Sequence, residues 1–426
     1  MMLLGKHERG EEENEGKESG SHRKGSVLDG VVPYPFTRND YDTSHHMEPR
    51  VKVTIVVSTL RAGGMERVAV NMANHWAERG WQPTLLTTSH GDKQRAYELH
   101  PEAQYRDIGW PRPIGDEELD PASLRAVMQT LEISDRSHAA VLANVPLMTV
   151  LRRELAASSP DAVISLGDVT NIRIIAATEG LPIRRFVSER CDPRRNSIGP
   201  WEPLRRRLYP RADGVVTLTR DAAQFFEQSG CVCHVIPNSV PKPRVAPNPN
   251  REGRRCVTIS RLEVYKRIPI LIRAFAAIAD RHPEWSLDIW GEGPRRPKVQ
   301  QTIDELGIGE RVRLRGHAKD VYGVLAEADL FAMTSESEGF PNALCEAMAS
   351  GVAPVVIDCG PGVRDIIRDG IDGILVRGAD ADHFAAALDR LMTDDDERRR
   401  LGARAAEIVE RFAPEKVMRQ WEELIA

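Results

Sequence analysis

The sequence predicts an α/β fold of two Rossmann-like units facing each other across a cleft. Three observations carry that expectation. Val51–Thr59 is β-rich and leads through the glycine turn Arg61–Arg67 into an amphipathic stretch ending at Arg79: strand, turn, helix. Asn238–Gly253 is dense in Pro, Asn and Arg and reads as a linker, after which a second strand–helix alternation begins. Within that second half, Ser335–Gly351 reads S-E-S-E-G-F-P-N-A-L-C-E-A-M-A-S-G, directly after the apolar run Ala328–Met333.

Taken in order, the first half continues with strands expected at Thr84–Thr87, Ala162–Ser165, Arg185–Ser188 and Gly214–Thr217, with helical patterns between them. The second half places strands at Cys256–Ser260, Ser286–Trp290, Val312–Arg315, Leu330–Met333, Ala353–Ile357 and Gly373–Val376. Beyond Ala379 the chain is helical and charged. Residues 1–48 are rich in Glu, Gly, Lys, Ser and His with few large apolar side chains, the composition of a disordered extension. Met47, just before the first strand, is a candidate start site.

Composition narrows the function classes. With 426 residues the chain has length for two domains, and 41% hydrophobic residues suffice for packed cores. A net charge of −5 gives no global field for nucleic acid. The six cysteines are scattered without a C-x-x-C pair, which fits a reducing cytosol and points away from a metal or disulfide framework. No apolar run approaches the roughly 18 residues of a spanning helix; Ala139–Leu151 is too short and holds Asn144 and Pro146. The N-terminus lacks a basic-then-apolar secretory pattern.

The Ser335–Gly351 string places chemistry at a sheet edge. Pro341 and Asn342 suit a helix start and Gly351 a helix end. Glu338 then falls in the strand-to-helix loop and Glu346 inside the helix, at the carboxyl edge where open α/β sheets bind ligands. The amides of Gly339 and Phe340, near the helix N-terminus, are placed for a phosphate. Two carboxylates beside a phosphate site suit a sugar and a ribose. Upstream, Thr258-Ile-Ser-Arg-Leu-Glu-Val-Tyr-Lys266 brings Arg261 and Lys266 to the same edge, two cations suited to a diphosphate whose charge grows as a bond breaks.

The string from Ser335 to Glu346 resembles the E-x7-E signature of glycosyltransferase family 4, the retaining enzymes of GT-B fold. Several other segments resemble the same family. Ser260–Lys266 is similar to its S-R-L-x-x-x-K motif, with Arg267 where the family has Gly. Asp288–Pro294 resembles the strand ending in G-x-G-P near the nucleobase, and Arg315-Gly-His317 the stretch that holds the base through backbone groups. Gly63-Gly64-Met-Glu-Arg67 is similar to G-G-x-x-R, and Cys359–Gly370 to G-x-x-E-I-I-x-D-G with Asp365 for Glu. The resemblance runs from about Val51 to Gln420.

It implies a first domain over 49–240, joined by a C-terminal helix at 413–426, a linker at 241–253, and a nucleotide-sugar domain over 254–412. It implies catalytic roles for Glu338, Arg261 and Lys266. Donor contacts would come from Gly64, Arg261, Lys266, Gly291, Gly316, Glu338, Gly339, Phe340, Asn342 and Glu346. With the cations on the diphosphate, no metal and no cofactor are expected.

On the acceptor side, Phe186-Val-Ser-Glu-Arg-Cys-Asp-Pro-Arg-Arg195 resembles the S-E-R-N-D-P-R string of family 4 enzymes that extend polyprenyl-diphosphate-linked glycans, which implicates Glu189 and Arg190. Nine arginines lie between Pro182 and Arg211, interleaved with Trp201, Leu204, Leu208 and Tyr209, a pattern suited to an anionic membrane surface. The expected partners are a UDP-linked nucleotide sugar and a glycan or lipid-linked acceptor, met from the cytoplasm at the inner face of the plasma membrane. A non-catalytic or hydrolytic sugar-nucleotide-binding GT-B protein, and an inverting or epimerising GT-B enzyme, remain the alternatives at this point.

Overall fold

The computed structural model describes residues 51–61, 63–89, 96–110, 119–132, 139–195, 197–244 and 253–426. The extension over 1–48 with its Met47, and most of the expected linker, lie outside the described residues.

Two wholly parallel sheets form, as strand runs buried on both faces and separated by amphipathic helices require. The first comprises β1 (Lys52–Val57), β2 (Gln82–Ser89), β3 (Gln104–Trp110), β4 (Ala162–Leu166), β5 (Arg184–Ser188), β6 (Gly214–Thr217) and β7 (Cys233–Val235), in the order β3-β2-β1-β4-β5-β6-β7. The second comprises β8 (Arg255–Ile259), β9 (Ser286–Trp290), β10 (Val312–Gly316), β11 (Leu330–Met333), β12 (Ala353–Ile357) and β13 (Ile374–Val376), in the order β10-β9-β8-β11-β12-β13. Each order reverses direction once, at β1/β4 and at β8/β11. Ligands of doubly wound sheets sit at such switch points.

Every strand expected from the sequence is present. Two further strands, β3 and β7, lie at the two edges of the first sheet. β3 (QYRDIGW) buries only Ile108 and Gly109 fully, and β7 is three residues long. Edge strands pack on fewer neighbours, so their hydrophobic pattern is weak. Ala139–Leu151 is divided between the helices Ala139–Leu142 and Val145–Ser158, and no helix among the described residues is long and apolar enough to cross a membrane.

The C-terminal helix Pro414–Ile425 returns to the first sheet. Its buried face, Val417, Met418, Trp421 and Ile425, joins one core with Val53, Ile55, Trp76 and Phe186. Trp421 is 1% exposed. Trp421→Ala should cost about 3–5 kcal/mol, as for other buried aromatics. Calorimetry should show melting shifted down, and an unchanged thermogram would refute this docking.

Candidate functional site

Parallel pairing of β8 with β11, in the register Cys256↔Leu330 and Val257↔Phe331, makes neighbours of two loops far apart in sequence. After β8 the chain runs through Arg261 into a short 3-10 turn, Val264–Lys266. After β11 it runs through Glu338 to the helix Asn342–Ala349, which Pro341 precedes and Gly351, at φ +69°, follows. Two contacts lock the loops: the Thr334 hydroxyl donates to the Lys266 carbonyl at 3.0 Å, and the Glu336 amide to the Tyr265 carbonyl at 2.7 Å. Lys266 Nζ then lies 2.6 Å from Glu338 Oε1, both side chains at least 85% buried. Arg261, exposed at the rim, donates to the Tyr265 hydroxyl at 2.7 Å. The hydroxyls of Ser260 and Ser335 are buried in these same loops without a partner among the described residues. Such groups favour a polar ligand.

Arg267, where the family carries glycine, has φ +50°, in the left-handed region. It caps the start of the helix Ile268–Ile278, and its guanidinium pairs with Glu336 at 2.7 Å. The backbone demand is thus the one glycine meets at no steric cost, at roughly 1 kcal/mol for an L side chain. Arg267→Gly should therefore hold or raise the melting temperature, whereas Arg267→Ala, which keeps the strain and loses the pair, should lower it. Equal melting of both variants would refute this account.

The β9 and β10 loops complete the edge. Gly291 N donates to Gly316 O at 2.7 Å, joining the two loops. Gly291 has φ +135°, and a Cβ there would lie 1.8 Å from the Ser260 carbonyl, so no other residue fits so close to the β8 loop. Arg315 grips Asp288 with two bonds, at 2.9 and 3.3 Å, and His317 is exposed.

The first unit closes over this edge. The helix Gly64–Glu78 starts from the glycine turn, held where the Tyr97 hydroxyl donates to Gly63 O at 2.9 Å and accepts from Gly63 N at 3.1 Å. Asn342 Nδ2 donates to Gly64 O at 3.3 Å, and Asn238 Nδ2 donates to Asn342 Oδ1 at 2.8 Å. Arg67 forms an ion pair with Glu346, 6% exposed in the signature helix. Arg195 donates to the Glu336 carbonyl at 2.5 Å. A Cβ on Gly339 would lie 2.3 Å from the Arg190 carbonyl. In this structure the close approach that Gly64 and Gly339 permit is therefore between the two units. The Phe340 side chain turns inward, edge-on to Phe412 at 5.3 Å, leaving only its backbone for a ligand.

Two acceptor-side expectations fall on residues of the interior. Glu189 is 2% exposed, and its carboxylate accepts from the Tyr209 hydroxyl. Asn171 joins the cluster, donating to Tyr209 at 3.0 Å. Glu189 thus supports the loop from the interior. Arg190 beside it keeps Nη1 buried without a partner among the described residues. The amphipathic membrane contact also fails on packing. Trp201, Leu204, Leu208 and Tyr209 all sit in the core with Val187 and Phe226, and Arg205 is 2% exposed. The neighbouring arginines are largely paired: Arg207 and Arg211 with Glu132, Arg206 with Glu202, Arg185 with Glu179, and Arg194 with Asp221. The 3.6-residue spacing of those apolar groups marked a core face.

Burial pushes the Glu189 carboxyl up to about 7, against the hydrogen bond from Tyr209 and the charge of Arg205, which pull it down. A carboxyl raised above its unfolded value binds its proton more tightly when folded. Stability contributed by Glu189 is therefore full in acid and falls as pH rises from about 4.5 to 7. Glu189→Gln should match the parent chain at pH 5 and melt higher at pH 8, by up to about 3 kcal/mol in stability. Parallel melting curves against pH would refute this.

The model of the glycosyl transferase 4-like domain matches residues 63–239, and that of glycosyl transferases group 1 matches residues 241–408. The chain belongs to the GT-B glycosyltransferases of family 4 type. An exopolysaccharide phosphotransferase of Streptomyces coelicolor is 33% identical over 64% of this chain, which spans only 29% of that relative. A Campylobacter jejuni N-acetylgalactosaminyltransferase, named for an undecaprenyl-diphosphate-linked glycan, is 24% identical over 88% of this chain and 98% of the relative. Among solved structures, S. aureus TarM in complex with UDP and α-GlcNAc-glycerol has a TM-score of 0.70 at 15% identity, covering 88% of this chain and all of that one. Anabaena HepE in complex with UDP and glucose has a TM-score of 0.68 at 19% identity, covering 88% and 98%. For this family-4 chain, those structural likenesses establish the fold.

The sequence identified Glu338, Glu346, Arg261 and Lys266, and the fold brings them to one edge. It did not identify Tyr97 or Tyr322 as neighbours of Arg67, although both interact with it electrostatically. Tyr97 lies outside the strands and helices, and Tyr322 is in a short helix, so neither stands in a recognisable pattern.

Proposed function

We propose that this chain is a retaining glycosyltransferase that moves a hexose or N-acetylhexosamine from a UDP-linked donor to a lipid-linked glycan. The observation that carries the reading is the Lys266–Glu338 pair at the β8/β11 switch point, beside Arg261 and the unpartnered hydroxyls of Ser260 and Ser335. The Campylobacter relative's undecaprenyl-diphosphate-linked substrate and the UDP bound by TarM and HepE support the acceptor and donor classes.

In this reading Arg261 and Lys266 hold the donor diphosphate, and Lys266 exchanges Glu338 for phosphate oxygens. Glu338, released, contacts the donor sugar. The amides of Gly339 and Phe340 face phosphate or sugar, Glu346 takes the ribose hydroxyls, and the loops at Gly291 and Gly316 flank the base. Gly64 and Asn342 join the two units over the donor, and the loop that carries Glu189 and Arg190 faces the acceptor. Charge develops on the departing phosphate, and the fixed cations stabilise it more in the transition state than in the ground state, which is what accelerates the step. For retention the acceptor hydroxyl attacks the face the phosphate leaves, and that phosphate takes the proton. The lipid-linked acceptor would place the reaction at the cytoplasmic face of the plasma membrane.

Glu346→Ala should weaken nucleotide binding by about tenfold or more, while Glu338→Ala should chiefly lower kcat, by about a hundredfold. A ribose contact is made equally in ground and transition states, whereas a contact to the reacting sugar grows with the charge. Unchanged kcat and KM in both variants would remove these assignments. Because two side-chain cations serve the diphosphate, activity should survive EDTA; a loss restored by Mg²⁺ would contradict the scheme. Retained anomeric configuration in the product separates this reading from an inverting enzyme.

A further inference from the structure

Arg67 belongs to the first unit, one turn into the helix Gly64–Glu78, yet its guanidinium binds Oε1 of Glu346 in the second unit. Glu346 is 6% exposed, an environment that disfavours a lone negative charge. A carboxylate kept charged accepts hydrogen bonds about twice as strong as a neutral acceptor does, and two adjacent ribose hydroxyls are two donors.

We propose that Arg67 is a positioning residue for the donor ribose: reaching across from the opposite unit, it holds Glu346 charged and oriented to receive the ribose hydroxyls. The inference rests on the assignment of Glu346 to the ribose made above. The guanidinium reaches Glu346 because the helix Gly64–Glu78 sits against the helix Asn342–Ala349, where Asn342 donates to Gly64 O.

The surroundings leave Arg67 as the cation for this task. Tyr97, from the first unit, and Tyr322, from the helix Val321–Ala326, face the pair, and burial raises both phenols above their ordinary value. Cys345, next in the chain, is likewise pushed up by burial. All three stay neutral near pH 7. Arg411, on the far side of Cys345, is engaged with the Ile366 carbonyl at 2.7 Å and with Asp372. Burial raises the Glu346 carboxyl and Arg67 pulls it back down. Without Arg67 it must rise further, and binding that needs the carboxylate is then lost as pH falls through the raised value.

The test measures binding of UDP-glucose and of GDP-mannose by calorimetry from pH 6 to 8.5, a range in which neither diphosphate diester titrates, on the full chain. Arg67→Met should bind the preferred probe about tenfold more weakly at pH 6 than at pH 8.5, relative to a nearly flat parent profile. Arg67→Lys, which restores a cation, should flatten the profile again; a helix side chain that served only packing would give no such rescue. Arg67→Met with a profile parallel to the parent's overturns the proposal while leaving the ribose assignment standing. Glu346→Gln should bind weakly with no pH dependence. If Glu346→Gln binds as tightly as the parent, or the parent binds neither probe, the ribose reading itself falls and the proposal with it.

Discussion

The pairing of β8 with β11 is the constraint from which the site follows. Strands β9 and β10 extend the sheet to one side of β8, and β12 and β13 extend it to the other side of β11. The connections leaving β8 and β11 therefore diverge, and a crevice opens between them at the carboxyl edge. Lys266 and Glu338 meet there because strand order, not chain proximity, decides which loops are adjacent. β1 and β4 repeat the arrangement in the first sheet, with the glycine turn at Gly63 and the helix Asp168–Thr178 leaving the same edge.

The charges at this edge are already paired: Lys266 with Glu338 and Arg67 with Glu346. Such pairs are costly to desolvate and more costly to leave half-broken, by about 3–5 kcal/mol. A ligand here gains only the difference between its contacts and those it displaces. A diphosphate can replace Glu338 on Lys266 without leaving the ammonium bare, and hydroxyls can share Glu346 without evicting Arg67. That asymmetry favours a ligand carrying both phosphate and adjacent hydroxyls over either group alone.

Much of this was legible before any coordinates. Continuous apolar runs such as Ala353–Ile357 marked buried parallel strands, and Pro341 and Gly351 bracketed the signature helix as their backbone preferences require. Arg67 appeared only as one position of a glycine-turn pattern, because its partner lies 279 residues away and no local period reports such a contact. The segment Trp201–Tyr209 was misread for a related reason. Alternating arginines and large apolar groups give the same pattern on a helix buried under salt-bridged arginines as on one lying on a bilayer. Only tertiary burial tells them apart. Glu189 stands out in the sequence only as part of a string that resembles S-E-R-N-D-P-R, and its contact with Tyr209 shows that it is interior.

The chain passes between the two sheets twice, once after β7 and once before the helix Pro414–Ile425. The two passages are tied together where Val240 N donates to Phe412 O at 2.8 Å. A body held by one flexible strand can swivel about any axis. Two strands bonded side by side remove most of that freedom and leave rotation about the line joining them. The units are thus connected as a door is to its frame, by two adjacent segments in place of one.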